Sequence, residues 1–354
     1  MIDKTNHHSL KYPMQPRIID IAKEANVSPS AVSLALNNKP GISSEVRQKI
    51  ITIAGGMGYK TFPIDQYRLV NENITIRLLK IAKHGHIVNE RHNPFITEYL
   101  EGIETETKKR KYKLEVSFFD KIPINEIVDS QKDTSVSGLI VLGTELNAHE
   151  LIIFTELSAP VVFIDTYFLL SVYDCIDIDN ADGVFRAIQH LYTNGHRSIG
   201  LVKSSYETRN FKMREYGFIE SMEYFSLPIK KEFTCSVDPA FDLSINDFGK
   251  FLDKTTSLPT SFFCMNDMIA LGCMKALQKH GYKVPGDISI IGFDDLPSSS
   301  LSDPNLTTIR VSNHQIGRRA VERISEKITN PNDGLPENIL IPNKLIIRES
   351  VRPI

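Results

Sequence analysis

Long apolar segments are absent from this 354-residue chain. No stretch approaches the roughly 20 apolar residues that a membrane-spanning helix needs, and the first 16 residues lack the apolar core of a secretory signal. Cysteine is scarce, and its four positions, Cys175, Cys235, Cys264 and Cys273, show no C-x-x-C spacing. We therefore expect a cytoplasmic protein with reduced core cysteines and a flexible N-terminal tail over residues 1–16.

Catalytic signatures are also missing. The sequence has no H-E-x-x-H, no phosphate-binding Walker loop and no G-x-S-x-G turn, so we expect that the protein is not an enzyme. His84, His86, Glu90 and His92 resemble a metal cluster, but their H-x-H spacing has no matching second pair, and we expect a solvated loop. Neither a metal ion nor a cofactor is predicted.

Basic charge is concentrated at one end of the chain. The net charge is −2 at neutral pH, yet the first 60 residues carry eight Lys and Arg against four acidic residues. That excess of +4 leaves −6 for the rest of the chain. Such segregation favours contact between the N-terminal part and a polyanion.

The basic end contains the pattern of two short helices joined by a tight turn. Ile18, Ile21, Ala22 and Ala25 form one apolar stripe, and Asn26 follows at a position that suits positive φ. A second helix is then predicted, with Ser28 as its N-cap and Pro29 as its first residue. This is the helix-turn-helix arrangement, whose second helix enters the DNA major groove.

A third helix completes the predicted N-terminal core. Either Ser43 or Ser44 would cap it, and Gly58 would end it. The buried faces of the second and third helices are predicted to contain Val32, Ala35, Leu36, Val46, Ile50, Ile53 and Met57.

From Ile74 the sequence alternates between strands and helices. Amphipathic helical stretches run over residues 180–194 and 266–280. Continuous apolar strands separated by helices indicate parallel sheets that are covered on both faces, and about 280 residues exceed what one such sheet needs. Seven strands are predicted, beginning at Ile74, Leu114, Gly138, Val161, Ser198, Ser261 and Ile288.

The order of the motifs resembles one protein family along nearly the whole chain from Arg17 to Ser350. The first stretch contains D-I-A-x-x-A-x-V-S-x-x-x-V-S-x-x-L-N, and later stretches contain HLYTNGHRSIGLV, MNDMIALG, VPGDISIIGFDDLPSS and LIIRES. These motifs are similar to those of the LacI/GalR family of bacterial transcription regulators. The resemblance implies an α/β fold, with a three-helix helix-turn-helix headpiece and a periplasmic-binding-protein-like core of two doubly wound parallel-sheet subdomains.

The resemblance also implies domain boundaries. The headpiece covers 17–61, a hinge linker covers 62–73, and the effector-binding and dimerisation core covers 74–354. Crossings between the two subdomains are expected near Ile178, near Val311 and after Asn330. The N-terminal subdomain would contain about 74–177 and 311–330, and the C-terminal subdomain about 178–310 and 331–350.

Family members contact DNA through the second helix and the hinge. In the hinge, Leu69 is the candidate for insertion into the minor groove and Arg68 for a phosphate contact, although the usual A-R-x-L pattern is poorly kept and a plain linker is the alternative. Leu34 stands where the family usually has Arg. The DNA-binding positions implied by the resemblance are Arg17, Ser28, Pro29, Ser30, Ala31, Ser33, Leu34, Asn37, Tyr59, Arg68 and Leu69.

Polar residues directly follow several predicted strands, where doubly wound sheets bind their ligands. Carboxylates and amides in such an array suit sugar hydroxyls, and caps on the following helices or turns are the alternative. Thr166 and Val311 depart from the family pattern, because Arg and a polar residue are common there. The effector-binding positions implied by the resemblance are Phe95, Asp165, Arg214, Asn266 and Asp294, with Phe95 as an aromatic wall.

The resemblance predicts a homodimeric repressor of carbohydrate-utilisation genes. Its partners would be a near-palindromic DNA operator and a small effector, a sugar or a sugar phosphate, bound between the subdomains. A regulator controlled by a protein co-repressor is the alternative within the same fold. A sugar-binding transport protein would instead need a secretory signal and no headpiece.

Overall fold

A computed structural model describes most of the chain, namely residues 17–36, 41–57, 74–85, 88, 93–132, 135–169, 172–331 and 334–354. The chain divides into two compact units, one up to Asn73 and one from Ile74. Several predicted features lie outside the described residues: the tail, the hinge linker, Asn37, Gly58, Tyr59, Arg68 and Leu69.

Three helices form the smaller unit: α1 (Ile18–Ala25), α2 (Pro29–Leu36) and α3 (Ser44–Gly56). Asn26 has φ 55°, which confirms the predicted turn. The Ser28 hydroxyl accepts a hydrogen bond from the Ala31 N–H at 3.1 Å, and the Ser43 hydroxyl accepts one from the Val46 N–H at 3.3 Å. Both serines therefore cap the helices that follow them.

The core of this unit contains Ile21, Val32 and Ile50, which are all fully buried. The prediction that Met57 is buried is wrong, because α3 ends at Gly56 and Met57 lies exposed in the turn beyond it. Ala54, one helical turn after Ile50, takes the buried position instead.

The larger unit alternates strands and helices. Their order is β1 (Thr75–Ala82), α4 (Asn93–Arg110), β2 (Lys113–Asp120), α5 (Ile124–Lys132), β3 (Gly138–Leu142), α6 (Ala148–Ile153), β4 (Val161–Ile164), β5 (Asp174–Ile178), α7 (Asn180–Thr193), β6 (Ile199–Ser204), α8 (Arg209–Tyr224), β7 (Thr234–Val237), α9 (Phe241–Lys254), β8 (Ser261–Cys264), α10 (Asp267–Lys279), β9 (Ser289–Ile291), β10 (Thr308–Arg310), α11 (Asn313–Thr329), β11 (Asn338–Ile341) and β12 (Lys344–Ile346).

Two parallel sheets organise this unit. One has the strand order β11-β5-β4-β3-β1-β2 and the other β7-β6-β8-β9. All seven predicted strands are present, as β1, β2, β3, β4, β6, β8 and β9. The prediction missed β5, β7 and β10 to β12, which are short and carry polar residues at several positions. Helices cover both sheets, as continuous apolar strands require.

β10 and β12 form a separate two-stranded antiparallel sheet, and isolated bridges join its segment to the end of β9, beside the four-stranded sheet. The chain passes between the six-stranded sheet and this second group of strands three times: after Ile178, between Arg310 and Asn313, and between Ile341 and Lys344. The expected assignment of residues 331–350 to the C-terminal subdomain is therefore wrong for part of that segment. Strand β11 pairs in parallel with β5 in the first sheet, and only β12 returns to the second subdomain, where it pairs with β10.

The described cysteines are all free; three are buried and Cys235 is half-buried. Among the helices that the structure describes, none has both the length and the apolar character needed to cross a bilayer.

Candidate functional site

A cavity with an empty volume of about 470 Å³ lies at the carboxyl ends of strands from both sheets. We call it the cleft cavity. All five residues predicted to bind an effector line it, together with Val88, Ile96, Thr144, Thr208, Asn210 and Phe211.

Asp165 follows β4 and is almost fully buried, with φ 60°. Its Oδ1 accepts hydrogen bonds from the Tyr99 hydroxyl at 2.9 Å and from Asn210 Nδ2 at 2.8 Å, and its Oδ2 accepts one from the Thr144 hydroxyl. Burial raises the pKa of this carboxyl, although these hydrogen bonds oppose the rise. Asp165 thus joins three elements that are distant in sequence.

Arg214, on α8, is held by groups from three other segments. Its Nε donates to Asn180 Oδ1 at 2.9 Å, and its Nη1 donates to the Met265 carbonyl at 2.6 Å. The guanidinium also lies 3.8 Å from the centre of the Phe293 ring, within the range of a cation–π contact. Arg214 is therefore fixed before any ligand arrives.

Asp294 follows β9 and forms an ion pair with Arg214, with 3.1 Å between Oδ1 and Nη1. The contact is electrostatic, since Oδ1 accepts no hydrogen bond of good geometry from the part of the chain described here. Asp294 and Asp295 have φ 116° and 58°, unusual values that an L-residue adopts at some cost and that cluster at functional sites. Burial raises the pKa of Asp294 to about 8, against the opposing effect of Arg214.

A third buried carboxylate, Asp177 on β5, is near enough to Asp165 for their charges to interact. It is fully buried, and its Oδ1 accepts a hydrogen bond from the Ile178 N–H at 2.8 Å. Its Oδ2 has no hydrogen-bond partner among the described residues. Burial and the negative charge of Asp165 raise the pKa of Asp177 well above its usual value.

Asn266 and Asp267, which follow β8, have structural partners. Asn266 Oδ1 accepts a hydrogen bond from the Ile269 N–H at 2.9 Å, so this residue caps α10 and also lines the cavity. Asp267 accepts hydrogen bonds from the hydroxyls of Ser299 and Thr308 and from the Leu296 N–H. Burial raises the pKa of Asp267 to about 7. Asp267 supports the loop after β9 and does not line the cavity.

The apolar part of the cavity wall comes from Val88, Phe95, Ile96 and Phe211. Phe95 packs edge-to-face on Tyr99, with 5.3 Å between ring centres. Val88 is held by a neighbouring turn, in which the buried Glu145 carboxylate accepts hydrogen bonds from the N–H groups of Lys83, His84 and Val88 at 2.8 to 2.9 Å. Val88 is therefore positioned through its own backbone N–H, and Phe95 by its contact with the Tyr99 ring.

The sequence interpretation missed several residues of this site. Tyr99, Thr144 and Asn210 hold Asp165 in place. Thr144 and Asn210 follow a strand or begin a helix, which is a weak local signal, whereas Tyr99 lies in the middle of α4 and had none. Of the two departures from the family pattern, Thr166 is fully buried and Val311 is nearly so, and neither lines the cavity.

The histidine-rich segment shows no metal cluster within the described residues. His84 contacts Glu145 at 3.3 Å and stacks on Tyr206 with 5.7 Å between ring centres. His86, Glu90 and His92 lie outside the described residues.

On the headpiece, the start of α2 is open to solvent. Ser28, Pro29 and Ser30 are exposed, whereas Ala31, Ser33 and Leu34 are half-buried. The end of α2 is stabilised by Arg47, whose Nη1 donates to the carbonyls of Leu34 and Ala35 at 3.1 and 3.3 Å. Arg17 is exposed, and its N–H donates to the Asp20 carboxylate at 2.7 Å. The exposed N-terminal turn of α2 has the small side chains that a close approach to another surface requires.

Comparisons with known proteins agree with this architecture. The profile of bacterial regulatory proteins of the lacI family matches residues 17–61, and that of the periplasmic binding protein-like domain matches residues 188–351. The ribose operon repressor of Haemophilus influenzae is 29% identical over 335 residues, which cover 94% of this chain and 97% of that protein.

Two solved structures share the fold. A complex of the transcriptional regulator CelR with cellobiose has a TM-score of 0.70 at 19% identity, and covers 95% of this chain and 100% of that one. A lac repressor dimer bound to operator and the anti-inducer ONPF has a TM-score of 0.68 at 22% identity, and covers 96% and 100%.

Proposed function

The chain belongs to the lacI family of bacterial regulatory proteins as a DNA-binding transcriptional repressor, and we propose that a small carbohydrate bound in the cleft cavity controls its affinity for its operator. The genes controlled would be those for using that carbohydrate. The protein would act in the cytoplasm, where its operator is found.

The observation that carries this proposal is the convergence of Phe95, Asp165, Arg214, Asn266 and Asp294 on one cavity. They come from both subdomains, so a ligand that contacts them bridges the two halves of the core. Such a ligand stabilises one arrangement of the subdomains over another. The resulting change in operator affinity is limited by the difference in ligand affinity between the two arrangements, typically about 1 to 3 kcal/mol.

The DNA contacts would come from the exposed start of α2. In this proposal Ser28, Pro29, Ser30, Ala31, Ser33 and Leu34 face the major groove, and Arg17, Asn37, Tyr59, Arg68 and Leu69 add contacts beside it. Residues 62–73 would act as the hinge between the headpiece (17–61) and the core (74–354). The dipole and N–H groups at the start of α2 suit a nearby phosphate.

A homodimer on a near-palindromic operator follows from two headpieces that read successive turns of DNA. The core offers an apolar surface on the edge strand β2, where Val116 and Phe118 are 53% and 57% exposed. The related lac repressor structure is described as a dimer bound to operator.

Thermal unfolding of the purified protein in a panel of sugars and sugar phosphates tests the effector proposal. A bound sugar at 100 times its Kd adds about 2.7 kcal/mol of stability, and the same sugar should change the retention of an operator fragment in a gel-shift experiment. Asp294→Ala should remove both responses, whereas Asp253→Ala, at an exposed carboxylate outside the cavity, should keep them. If no sugar raises the unfolding temperature, the proposal is wrong.

A further inference from the structure

Basic residues cluster at the turn between α4 and β2, where five of the six positions from Lys108 to Lys113 are Lys or Arg. Lys109, Lys111 and Lys113 are exposed, and the side chains of the first and last are 70% and 69% exposed. We call these three lysines the basic turn. Basic residues in the last turn of a helix stabilise its C-terminus, but α4 ends at Arg110. The helix end therefore does not account for Lys111 and Lys113.

The two glutamates that pair with the basic turn also bind arginines. Glu106 accepts a hydrogen bond from Arg110 at 2.8 Å, and Glu115 accepts two from Arg77, at 3.1 and 2.8 Å. Lys111 makes no ion pair within the part of the chain that the structure describes. The three lysines therefore carry positive charge in excess of the carboxylates around them, although the chain after residue 60 has a net charge of −6.

The basic turn lies beside the first residues of the core. The Lys113 N–H donates to the Ile74 carbonyl at 2.9 Å, and Lys113 pairs with Thr75 between the parallel strands β2 and β1. Residues 62–73 join the headpiece to the core at this point of the sequence. The lysines are therefore located where the DNA-binding unit is tethered to the core.

The chemistry of these lysines suits phosphate groups. A lysine ammonium is a point charge on a flexible stem, so it can bind a phosphate oxygen without a fixed geometry. Ion pairs between exposed side chains contribute little to stability, so Lys109 and Lys113 can exchange a glutamate for a phosphate at low cost. Contacts of this kind position a protein on a duplex and carry no sequence information.

We propose that the basic turn binds the phosphate backbone of the DNA that flanks the operator. The core of each subunit then adds a sequence-independent contact to those made by the headpiece. This inference goes beyond the proposed function, in which only the headpiece and the hinge contact DNA. The partner is DNA because the basic turn lies at the tether of the DNA-binding unit.

Gel-shift titration of the full-length protein with two duplexes tests the proposal. One duplex contains only the site that the protein selects from a random DNA library. The other contains the same site between two arms of about one and a half helical turns, roughly 15 base pairs each. Binding is measured at a series of KCl concentrations, because each lysine–phosphate contact releases counterions and steepens the dependence on salt.

Replacement of the basic turn by Lys109→Gln, Lys111→Gln and Lys113→Gln together should weaken binding to the long duplex about tenfold. The slope of log Kd against log salt concentration should fall by about 0.9 for each phosphate contact that is lost. Binding to the short duplex should not change. Lys111→Gln alone, at a residue without an ion pair, should lower the slope for the long duplex by about 0.9 per subunit.

The matched control is the triple variant Lys254→Gln, Lys279→Gln and Lys283→Gln, which makes the same change in net charge at exposed lysines of the C-terminal subdomain. It should bind both duplexes as the parent protein does. Light scattering and thermal unfolding show whether each variant keeps the mass and the fold of the parent. If the triple variant of the basic turn loses either, Lys111→Gln decides the question.

Two results would overturn the inference and leave the proposed function in place. One is an unchanged affinity and an unchanged salt dependence for the long duplex. The other is an equal loss of affinity for the long and the short duplex, because the lost contacts would then not be made to flanking DNA.

Discussion

Asn210 donates from its side-chain nitrogen to the Asp165 carboxylate at 2.8 Å and to the Asp165 carbonyl at 3.1 Å. Asp165 follows a strand of the six-stranded sheet, whereas Asn210 lies on α8 of the other subdomain. The pair therefore connects the two subdomains directly. Asn210 also accepts a hydrogen bond from Asn180 at 2.9 Å, and Asn180 in turn accepts one from Arg214. One chain of hydrogen bonds thus connects Asp165 with Arg214 through Asn210 and Asn180.

The first prediction concerns this connection. Asn210→Ala removes two hydrogen bonds to buried acceptors on Asp165, which should lower the free energy of unfolding by about 1 to 3 kcal/mol. It should also weaken the effector response, because the subdomains lose a contact that fixes their arrangement. Urea unfolding and effector titration measure the two effects. The control is Asn194→Ala, which removes a hydrogen bond within one subdomain. Equal effector responses in the two variants would argue that Asn210 does not bridge the subdomains.

The second prediction concerns pH. Asp294 has an ordinary pKa of 3.8 that burial raises to about 8 in the folded protein. Between these values the folded state binds more protons than the unfolded state, so the free energy of unfolding should fall as pH rises from about 4 to about 8. The contribution of one such group has a slope of at most about 1.4 kcal/mol per pH unit.

Asp294→Asn isolates this contribution, because the amide stays uncharged at every pH. Urea unfolding at a series of pH values should give a smaller decline for this variant than for the parent protein. Asp253→Asn, at an exposed carboxylate, should follow the parent curve. Parallel curves for the parent and Asp294→Asn would show that Asp294 does not hold a proton in the folded state.

Local sequence pattern was sufficient for much of the fold. The turn at Asn26 and the caps at Ser28 and Ser43 depend on residues at most three positions away, and the apolar strands could be read from their own composition. Strand β5 was missed because it contains two acidic residues. One of them, Asp174, is stabilised by Arg323 at 2.7 Å, a partner 149 positions away in the sequence.

The same distinction applies to the cavity. Residues that follow a strand, such as Asp165 and Asp294, could be named in advance because all parallel strands of a sheet end at one edge. The hydrogen-bond partners of these residues could not be predicted from the sequence. Asp165, for example, is bonded by Tyr99, Thr144 and Asn210, which lie in three separate parts of the chain. The cap role of Asn266, considered as an alternative to ligand binding, is present in the structure, and contact with a ligand stays a prediction.

The third prediction concerns assembly. Val116 and Phe118 are two positions apart on β2, so their side chains share one face of an edge strand, and both are exposed. Replacing both with Asp should convert a dimer to a monomer, because two charges would be buried without partners at the interface. Light scattering after size-exclusion chromatography measures the mass. Ile152→Asp, at an exposed position on α6, should remain dimeric, and a dimeric double variant would place the interface elsewhere.

The last prediction concerns DNA sequence preference. Leu34 lies on the second headpiece helix, and it stands where related regulators usually have Arg. An Arg side chain can donate two hydrogen bonds to guanine, which is worth about 1 to 3 kcal/mol of discrimination. Leucine offers only apolar contact, for example with the thymine methyl group. We therefore expect sequences selected by this protein from a random DNA library to lack a guanine at the position that residue 34 reads.

Leu34→Arg should restore that guanine. The backbone of α2 should tolerate the change, because Arg47 bonds the carbonyl of Leu34 and not its side chain. The Leu34 side chain is only half-buried, so a longer side chain at this position can extend toward solvent. Leu34→Lys is the matched control: it adds the same charge without the paired donors, so it should tighten binding to many sequences with less preference for guanine. A guanine selected equally by the parent protein and by Leu34→Arg would mean that residue 34 does not read a base.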